Sequence, residues 1–541
     1  MTAALAVCAC AEPASVPAVT EVGVTIEVRP GLRDLVATAV GESAVPWTWM
    51  WQVDGEPTPW DTERVPATAL WPGQLWRATV KGLDAKGGPL EGHAEAEIPA
   101  ALGGNVLVIM LDDVGVDKLG MYGITDGPPT PTLDALAAES LQFSNAWAAP
   151  TCSPTRAMAL TGRLPHRHGT GQFINMNVEP YAHPTASIFL PTALAESRTE
   201  VWSNLALGKW HLAGETVPRE LAHPHDSGFE RFFGSPGYLN EGSLDYDGYF
   251  LWRKNVDGVA ETVDVYNTTD TVNDALAHIP ELPEPWFVWL SFNAAHTPYH
   301  IAPEELVTQA LPLDPTEFDL FDGMVEAMDT EMGRLFDGLG SDLLGRTTRI
   351  VIGDNGTSDL VAEVFDPSHA KGSVYEGGVR VPMWVSGPHV ADPGRVVETP
   401  VLATDIFPTV LDLAGAPLQD DNLQLLLPLR DGGTRELDGV SLLPLMMETA
   451  PDWKRTVIVT EKLIPNGPPP WLLHLRAVQD GRFKLQETFK GTVEMYDLTE
   501  MYGLVEGPDK MLAPLSAEAQ AAYDTLSAAL ASLDAEPYEG F

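Results

Sequence analysis

The stretch NVLVIMLDD, Asn105 to Asp113, limits the fold more than any other segment of the chain. Its apolar run shows no alternation, so it suits a strand buried on both faces, and such strands belong to parallel sheets covered by helices. TRIVIGDNG, Thr348 to Gly356, repeats the design and again ends on oxygen-bearing side chains, Asp354 and Asn355. Helical patterns lie between runs of this kind: PTLDALAAES follows the first, PTALAES precedes TEVWSNLALGKWHLA, TVNDALAHI precedes PWFVWLSFNAAHTP, and GMVEAMDTEMGRLFDGL precedes the last. Strands alternating with helices predict an α/β fold with a doubly wound, mostly parallel sheet. In such sheets, function gathers beyond the carboxyl ends of the strands.

The flanks read differently. From Glu21 to Pro99, short alternating strands with turns such as Asp54-Gly55 predict a small immunoglobulin-like β-sandwich over 21–100. Trp47, Trp49 and Trp51 share one strand face there and suit its core; a carbohydrate-stacking platform is the functional alternative. The α/β body is expected over 104–420. HLRAVQDGRFKLQETFKGTVEMYDL and a closing helix near Ala517 to Leu533 predict a smaller C-terminal antiparallel subdomain over 421–541. Residues 1–20 are apolar, then small and proline-rich, like an export signal. Cys10 in VCAC sits where a lipoprotein cleavage site and lipid anchor would, although a basic leader is absent. The chain is therefore expected to be exported, as a periplasmic, outer-membrane lipoprotein or extracellular protein. No later stretch is long and apolar enough to be a transmembrane helix.

The 541 residues carry a formal charge of −44, a surface that repels nucleic acid and anionic membranes. An anionic substrate then requires cations concentrated locally. Asp112 with Asp113, and Asp354 with Asn355, end two buried strands of one sheet and can converge on one hard divalent cation. Lys209 and His211 in LGKWHL, and His296 in FNAAHTPYH, lie at further strand ends. With Arg156, Lys371 and Arg380 they can form a compact cationic pocket. His166, His168, His223, His225 and His300 read as loop or structural residues. Cys152 is the only thiol of the folded body, and its residue type leaves two readings open: a buried structural cysteine, or a thiolate nucleophile activated by a helix N-terminus and Arg156.

CSPTRAMALTGR, from Cys152 to Arg163, resembles the signature of the type I sulfatases, C-x-P-[ST]-R followed by T-G-R. LDDVG, GKWHL, AAHTP, GDNG, AKGSVYEGGVRVP, DGRFKL and MYDL match further segments of that family in order. Threonine stands at position 155, where serine is commoner. The resemblance implies an alkaline phosphatase-like fold and oxidation of Cys152 to formylglycine (3-oxoalanine) by a separate formylglycine-generating enzyme. It also implies a calcium ion held by Asp112, Asp113, Asp354, Asn355 and residue 152. Arg156 and Lys209 then hold the nucleophile, and Lys209 also reaches the sulfate. His211 sits against the formylglycine hydroxyls, and His296 and Lys371 bind the sulfate and ester oxygen. Asp354 accepts the attacking hydroxyl's proton, and His296 or Lys371 protonates the leaving alcohol.

The implied substrate is a sulfated small molecule or saccharide. GSPGYLNEGSLDYDGYFLWRKN loosely resembles the arylsulfatase and N-acetylgalactosamine-4-sulfatase branch, which points to a sugar or aryl ester. The acidic surface disfavours long, densely sulfated polymers. Two alternatives stand beside this reading: a phosphonate or phosphate ester hydrolase of the same superfamily, and an inactive binding protein.

Overall fold

The computed structural model describes residues 20–28, 35–40, 43–65, 74–97, 104–196, 201–239, 248–416, 418–421, 424–428, 434–447, 455–501, 504–533 and 538. The export and lipid-anchor expectations on Cys8 and Cys10, and the Asp- and Tyr-rich part of the 234–255 loop, fall outside them. The chain divides into two units, Met1–Ala100 and Ala101–Phe541.

In the first unit, one sheet orders its strands Thr20–Glu21, Pro89–Glu97, Leu75–Leu83, Thr48–Val53 and Glu56–Pro57. The other orders Gly23–Val28, Leu35–Val40 and Arg64–Val65. Asp54 and Gly55 join two of these strands with φ of +50° and +87°, the left-handed geometry of a tight hairpin. Leu35, Ala37 and Val65 from the smaller sheet share a core with Trp49, Trp51, Trp76, Ala78 and Val80 from the larger. Trp49 and Trp51 are 7% and 1% exposed, which leaves those rings no face for a sugar; half-buried Trp47 packs on the same core.

The second unit is built on a ten-stranded sheet. Five strands at its centre run parallel, in the order Arg231–Gly234, Ser203–Gly208, Trp286–Ser291, Asn105–Leu111 and Thr347–Gly353. Antiparallel strands extend both edges, Trp252–Val256 on one side and Met383–Ser386 on the other. Every residue of Asn105–Leu111 is buried. Leu107, Ile109 and Leu111 meet the helices Asn267–His278 and Glu317–Leu344 on one face, through Val272, Met324 and Met328. Val106, Val108 and Met110 are buried on the opposite face, because strand side chains alternate.

An antiparallel sheet, Ile458–Ile464, Leu473–Gln479, Phe483–Glu487 and Val493–Asp497, follows near the C-terminus with the helix Ala517–Leu533 beside it. Its first strand docks on the α/β body: Thr460 Oγ1 donates to Ala148 O at 2.8 Å, and Leu463 N to Gly171 O at 3.0 Å. Among the described residues, no helix is long and apolar enough to cross a membrane.

Candidate active site

The strand ends of the central sheet deliver the site. Asp112 and Asp113 follow Leu111, Lys209 follows Gly208, and Asp354 and Asn355 follow Gly353. Two neighbouring ends approach so closely that a Cβ on Gly208 would lie 1.9 Å from Ser291 O, so only glycine fits. Asp113 and His211 sit at φ of +60° and +57°, which side-chain-bearing residues rarely adopt; the surrounding bonds hold that strain where chemistry is expected.

Cys152 opens the wholly buried helix Cys152–Thr161, and Gly162 closes it at φ +69°. Thr155 Oγ1 accepts from Ala149 N at 2.9 Å and fixes the approach to this helix. Cys152 Sγ lies 3.7 Å from Asp112 Oδ1 and 3.8 Å from Lys209 Nζ. Burial and then Asp354 push its thiol well up, against the opposing pull of Lys209 and Lys371. The thiolate reading therefore has no support here: at neutral pH this sulfur is a protonated thiol.

Arg156, fully buried, acts as a strut between strand ends. Its Nη1 donates to Lys209 O at 2.8 Å and Ser291 Oγ at 2.6 Å, and its Nη2 to Asp354 Oδ2 at 2.9 Å. Lys209 pairs with Asp112, and Lys371 Nζ lies 2.5 Å from Asp113 Oδ1. Burial alone would raise Asp113, but Lys371, His296 and Lys209 outweigh it and hold the carboxyl well below its ordinary range. Asp354 goes the other way: burial and then Asp112 push it up to about 6.

The two histidines are set by carbonyls. His211 Nε2 lies 2.8 Å from Ile174 O and so donates to it; its buried Nδ1 is left as an acceptor with no hydrogen-bond partner. His296 Nδ1 donates to Thr297 O at 2.7 Å. Burial, followed by Lys209 and Lys371, lowers His296 to about 3, and burial with Lys209 and Arg156 drops His211 well below its ordinary value. Both rings are neutral at pH 7.

A divalent cation fits this arrangement. Ligand atoms of Asp112, Asp113, Cys152 and His296 lie within 4.8 Å of one another. Asn355 Nδ2 donates to Asp113 Oδ1 and Gly356 O, while its buried Oδ1 accepts nothing. An orphaned amide oxygen among crowded carboxylates, one of them raised to about 6, is the donor set of a hard cation. Asp112, Asp113 and Asp354 balance Arg156, Lys209 and Lys371 in charge, so such an ion leaves the site net positive, as an anionic ester requires.

Arg380 is not brought to this cluster. Its guanidinium donates to Ser144 O at 2.6 and 3.0 Å and pairs distantly with Glu376. His300 bonds Tyr266 Oη and Pro298 O, His166 bonds Glu461, His223 accepts from Trp210 Nε1, and His225 bonds Phe229 O. His168 is buried against His183. Sequence reasoning missed Ser291, whose hydroxyl helps to clamp Arg156, and the Ile174 carbonyl, which sets the His211 tautomer. Tyr238 was visible only as part of a loop. Its half-buried ring is parallel to His296 (6.0 Å, 16°) and edge-on to His211 (5.4 Å, 78°).

A family model described as Sulfatase matches residues 104–416. Among curated proteins, the chain is similar to N-acetylgalactosamine-6-sulfatase of Rattus norvegicus, 28% identical over 375 residues that cover 64% of this chain and 66% of that protein. It is also similar to arylsulfatase A of Bos taurus, 28% identical over 74% of this chain and 77% of the relative. The chain thus spans just under two thirds of the length of the N-acetylgalactosamine-6-sulfatases that it matches. Among solved structures, Ps i-CgsB superposes with a TM-score of 0.63 at 23% identity, over 80% of this chain and 92% of that one. A structure solved with its substrate D-glucosamine-2-N,6-O-disulfate superposes with a TM-score of 0.61 at 17% identity, over 81% and 99%. At these identities the superpositions establish a shared fold.

Proposed function

Because this chain belongs to the sulfatase family, we propose that it hydrolyses a sulfate ester of a sugar or aryl alcohol at the Cys152 site. One observation carries the reading: Asp112, Asp113, Asp354, Asn355, Lys209 and Lys371 converge beside the first residue of the Cys152–Thr161 helix, with the Asn355 oxygen left unpartnered. Asp112, Asp113, Asp354, Asn355 and residue 152 would hold calcium. When present, calcium supplies Lewis acidity and formylglycine at position 152 supplies a hydroxyl nucleophile with a second hydroxyl on the same carbon. Installing that residue requires a separate formylglycine-generating enzyme, and the reading includes export of the chain.

The remaining chemistry belongs to the side chains. Lys209 and Lys371 each spend one N–H on an aspartate and keep others for sulfate oxygens. Burial would discharge Lys371, but Asp113 and its other anionic neighbours hold its pKa well above the ordinary lysine value, so it meets the substrate in its charged form. Asp354, held by Arg156 among the strand ends beside position 152, takes the attacking hydroxyl's proton. Of the two candidate acids, Lys371 carries its proton at neutral pH and His296 does not, so Lys371 protonates the leaving oxygen. His211 Nδ1, with its lone pair free, accepts the last proton and releases sulfate. Tyr238 presents an aromatic wall against both histidines, which suits a ring-shaped leaving group.

The names of the relatives and of the bound sugar in the superposed structure support a sulfated saccharide. The test is hydrolysis of 4-nitrophenyl sulfate, 4-nitrophenyl phosphate and a phenylphosphonate ester, side by side, by the matured, calcium-loaded protein. Preferred turnover of the sulfate is expected; preference for phosphate or phosphonate would move the chain to the other ester hydrolases of its superfamily.

A further inference from the structure

The strand Ile458–Ile464 reaches the site from the C-terminal sheet. Thr460 and Lys462 share one of its faces. Thr460 bonds Ala148 O, and Lys462 Nζ donates to Gly372 O at 2.6 Å. Gly372 follows Lys371, and its own N–H donates to Pro150 O at 2.7 Å, two residues before Cys152. Lys462 is thus wedged beside both chain segments that carry the sulfate-binding groups.

Among the described residues no carboxylate pairs with Lys462, in a chain where 76 acids face 32 lysines and arginines. Nearby acids are engaged elsewhere: Glu461 with His166 and His474, Glu487 with Arg476, and Glu494 with the hydroxyls of Tyr375 and Tyr496. Burial alone shifts the Lys462 pKa, downward, as befits a half-buried cation with no anion beside it among the described residues. An ammonium has three donors, and Gly372 O uses one. The Phe489 ring lies 6.0 Å from Nζ and is 66% exposed, on a hairpin that also presents exposed Lys490. An uncovered aromatic beside an unneutralised cation is the chemistry that receives a sugar ring bearing a negative group.

We propose that Lys462 and Phe489 form a subsite, beside the sulfate pocket, for a second sugar ring that carries an anionic group, sulfate or carboxylate. This rests on the sulfatase reading. It narrows the substrate to an acidic oligosaccharide in which the scissile sulfate's sugar is joined to another charged sugar. The local basic patch offsets, at short range, the repulsion that the −44 chain exerts on polyanions.

The test is calorimetric binding to full-length, calcium-loaded protein carrying Cys152→Ala, which cannot turn over. The probes are N-acetylgalactosamine sulfate, in its 4- and 6-sulfated forms, alone or linked to neutral galactose, to galactose sulfate or to glucuronate. A charged neighbour should tighten binding ~10-fold over the neutral disaccharide, and adding Lys462→Met should reduce that advantage to under ~2-fold. Phe489→Ala, a surface change that spares the fold, should erase the advantage of disaccharide over monosaccharide. Whichever charged probe carries the effect identifies the anion. An advantage that survives Lys462→Met, or equal binding of neutral and charged disaccharides by the parent protein, would overturn the subsite; so would an equal loss for monosaccharide and disaccharide, since Lys462 would then only brace the Lys371 loop. Absence of 4-nitrophenyl sulfate turnover by matured Cys152 protein would instead overturn the sulfatase reading, and this subsite with it.

Discussion

Two buried charged clusters lie in the same unit and are finished differently. Glu461 is fully buried, and each of its oxygens lies 2.8 Å from a histidine nitrogen, His166 Nδ1 on one and His474 Nε2 on the other; the His166 backbone N–H adds a third bond. Burial would raise that carboxyl, but the two histidines outweigh it and hold it well below its ordinary range. The Asp112, Asp113, Asp354 and Asn355 cluster is just as buried, yet Asn355 Oδ1 accepts nothing and Asp354 is raised to about 6. A buried charge kept for structure is saturated with partners, whereas one kept for function is left incomplete until a ligand completes it.

Substitutions should separate the two clusters by what they damage. Cys152→Ala should reduce 4-nitrophenyl sulfate turnover by at least ~10⁴-fold while leaving the thermal midpoint within a few degrees, because a catalytic unit fails as a whole when its nucleophile is lost. Asp354→Ala should cost ~10³-fold and abolish calcium binding in a calorimetric titration. Chelating the ion from the parent protein should likewise lower the thermal midpoint, since a ligand that binds only the folded state stabilises it. Retained calcium binding in Asp354→Ala would break the contrast.

Smaller losses follow. His211→Ala should lower kcat ~10²-fold, the scale of one general base. Glu461→Gln should invert the pattern, with kcat changed less than ~3-fold but stability reduced by about 3 kcal/mol in chemical denaturation. The depressed Glu461 pKa contributes stability that is complete above the unfolded carboxyl value, about 4.3, and is lost as pH falls through the folded value. The parent should therefore lose stability in acid more steeply than Glu461→Gln; identical acid profiles would show that the Glu461 ion pairs do not stabilise the fold.

The parallel sheet was legible because buried strands read as unbroken apolar runs, and the site's acids were legible because they end those runs. The closing helix was visible at Ala517–Leu533 from its own pattern. What stayed hidden arrives through crossovers. Ser291 lies 135 residues from Arg156 and bonds it at 2.6 Å. Lys462 meets Gly372 from 90 residues away. No local pattern records such pairings. Arg380 shows the opposite failure: its place near Lys371 suggested a shared pocket, but its side chain turns to Ser144 O. Arg156 was legible as a cation, but its use as a strut became visible only once four strand ends were in place.

The most direct test of the central claim is to measure sulfate-ester turnover against the fraction of residue 152 converted to aldehyde. That fraction would be read by mass spectrometry of the peptide around Cys152, in protein made with and without a formylglycine-generating enzyme and assayed with calcium. Turnover of 4-nitrophenyl sulfate should rise in proportion to the converted fraction and vanish in the unconverted thiol form. Full turnover by protein whose residue 152 is entirely cysteine would contradict the account.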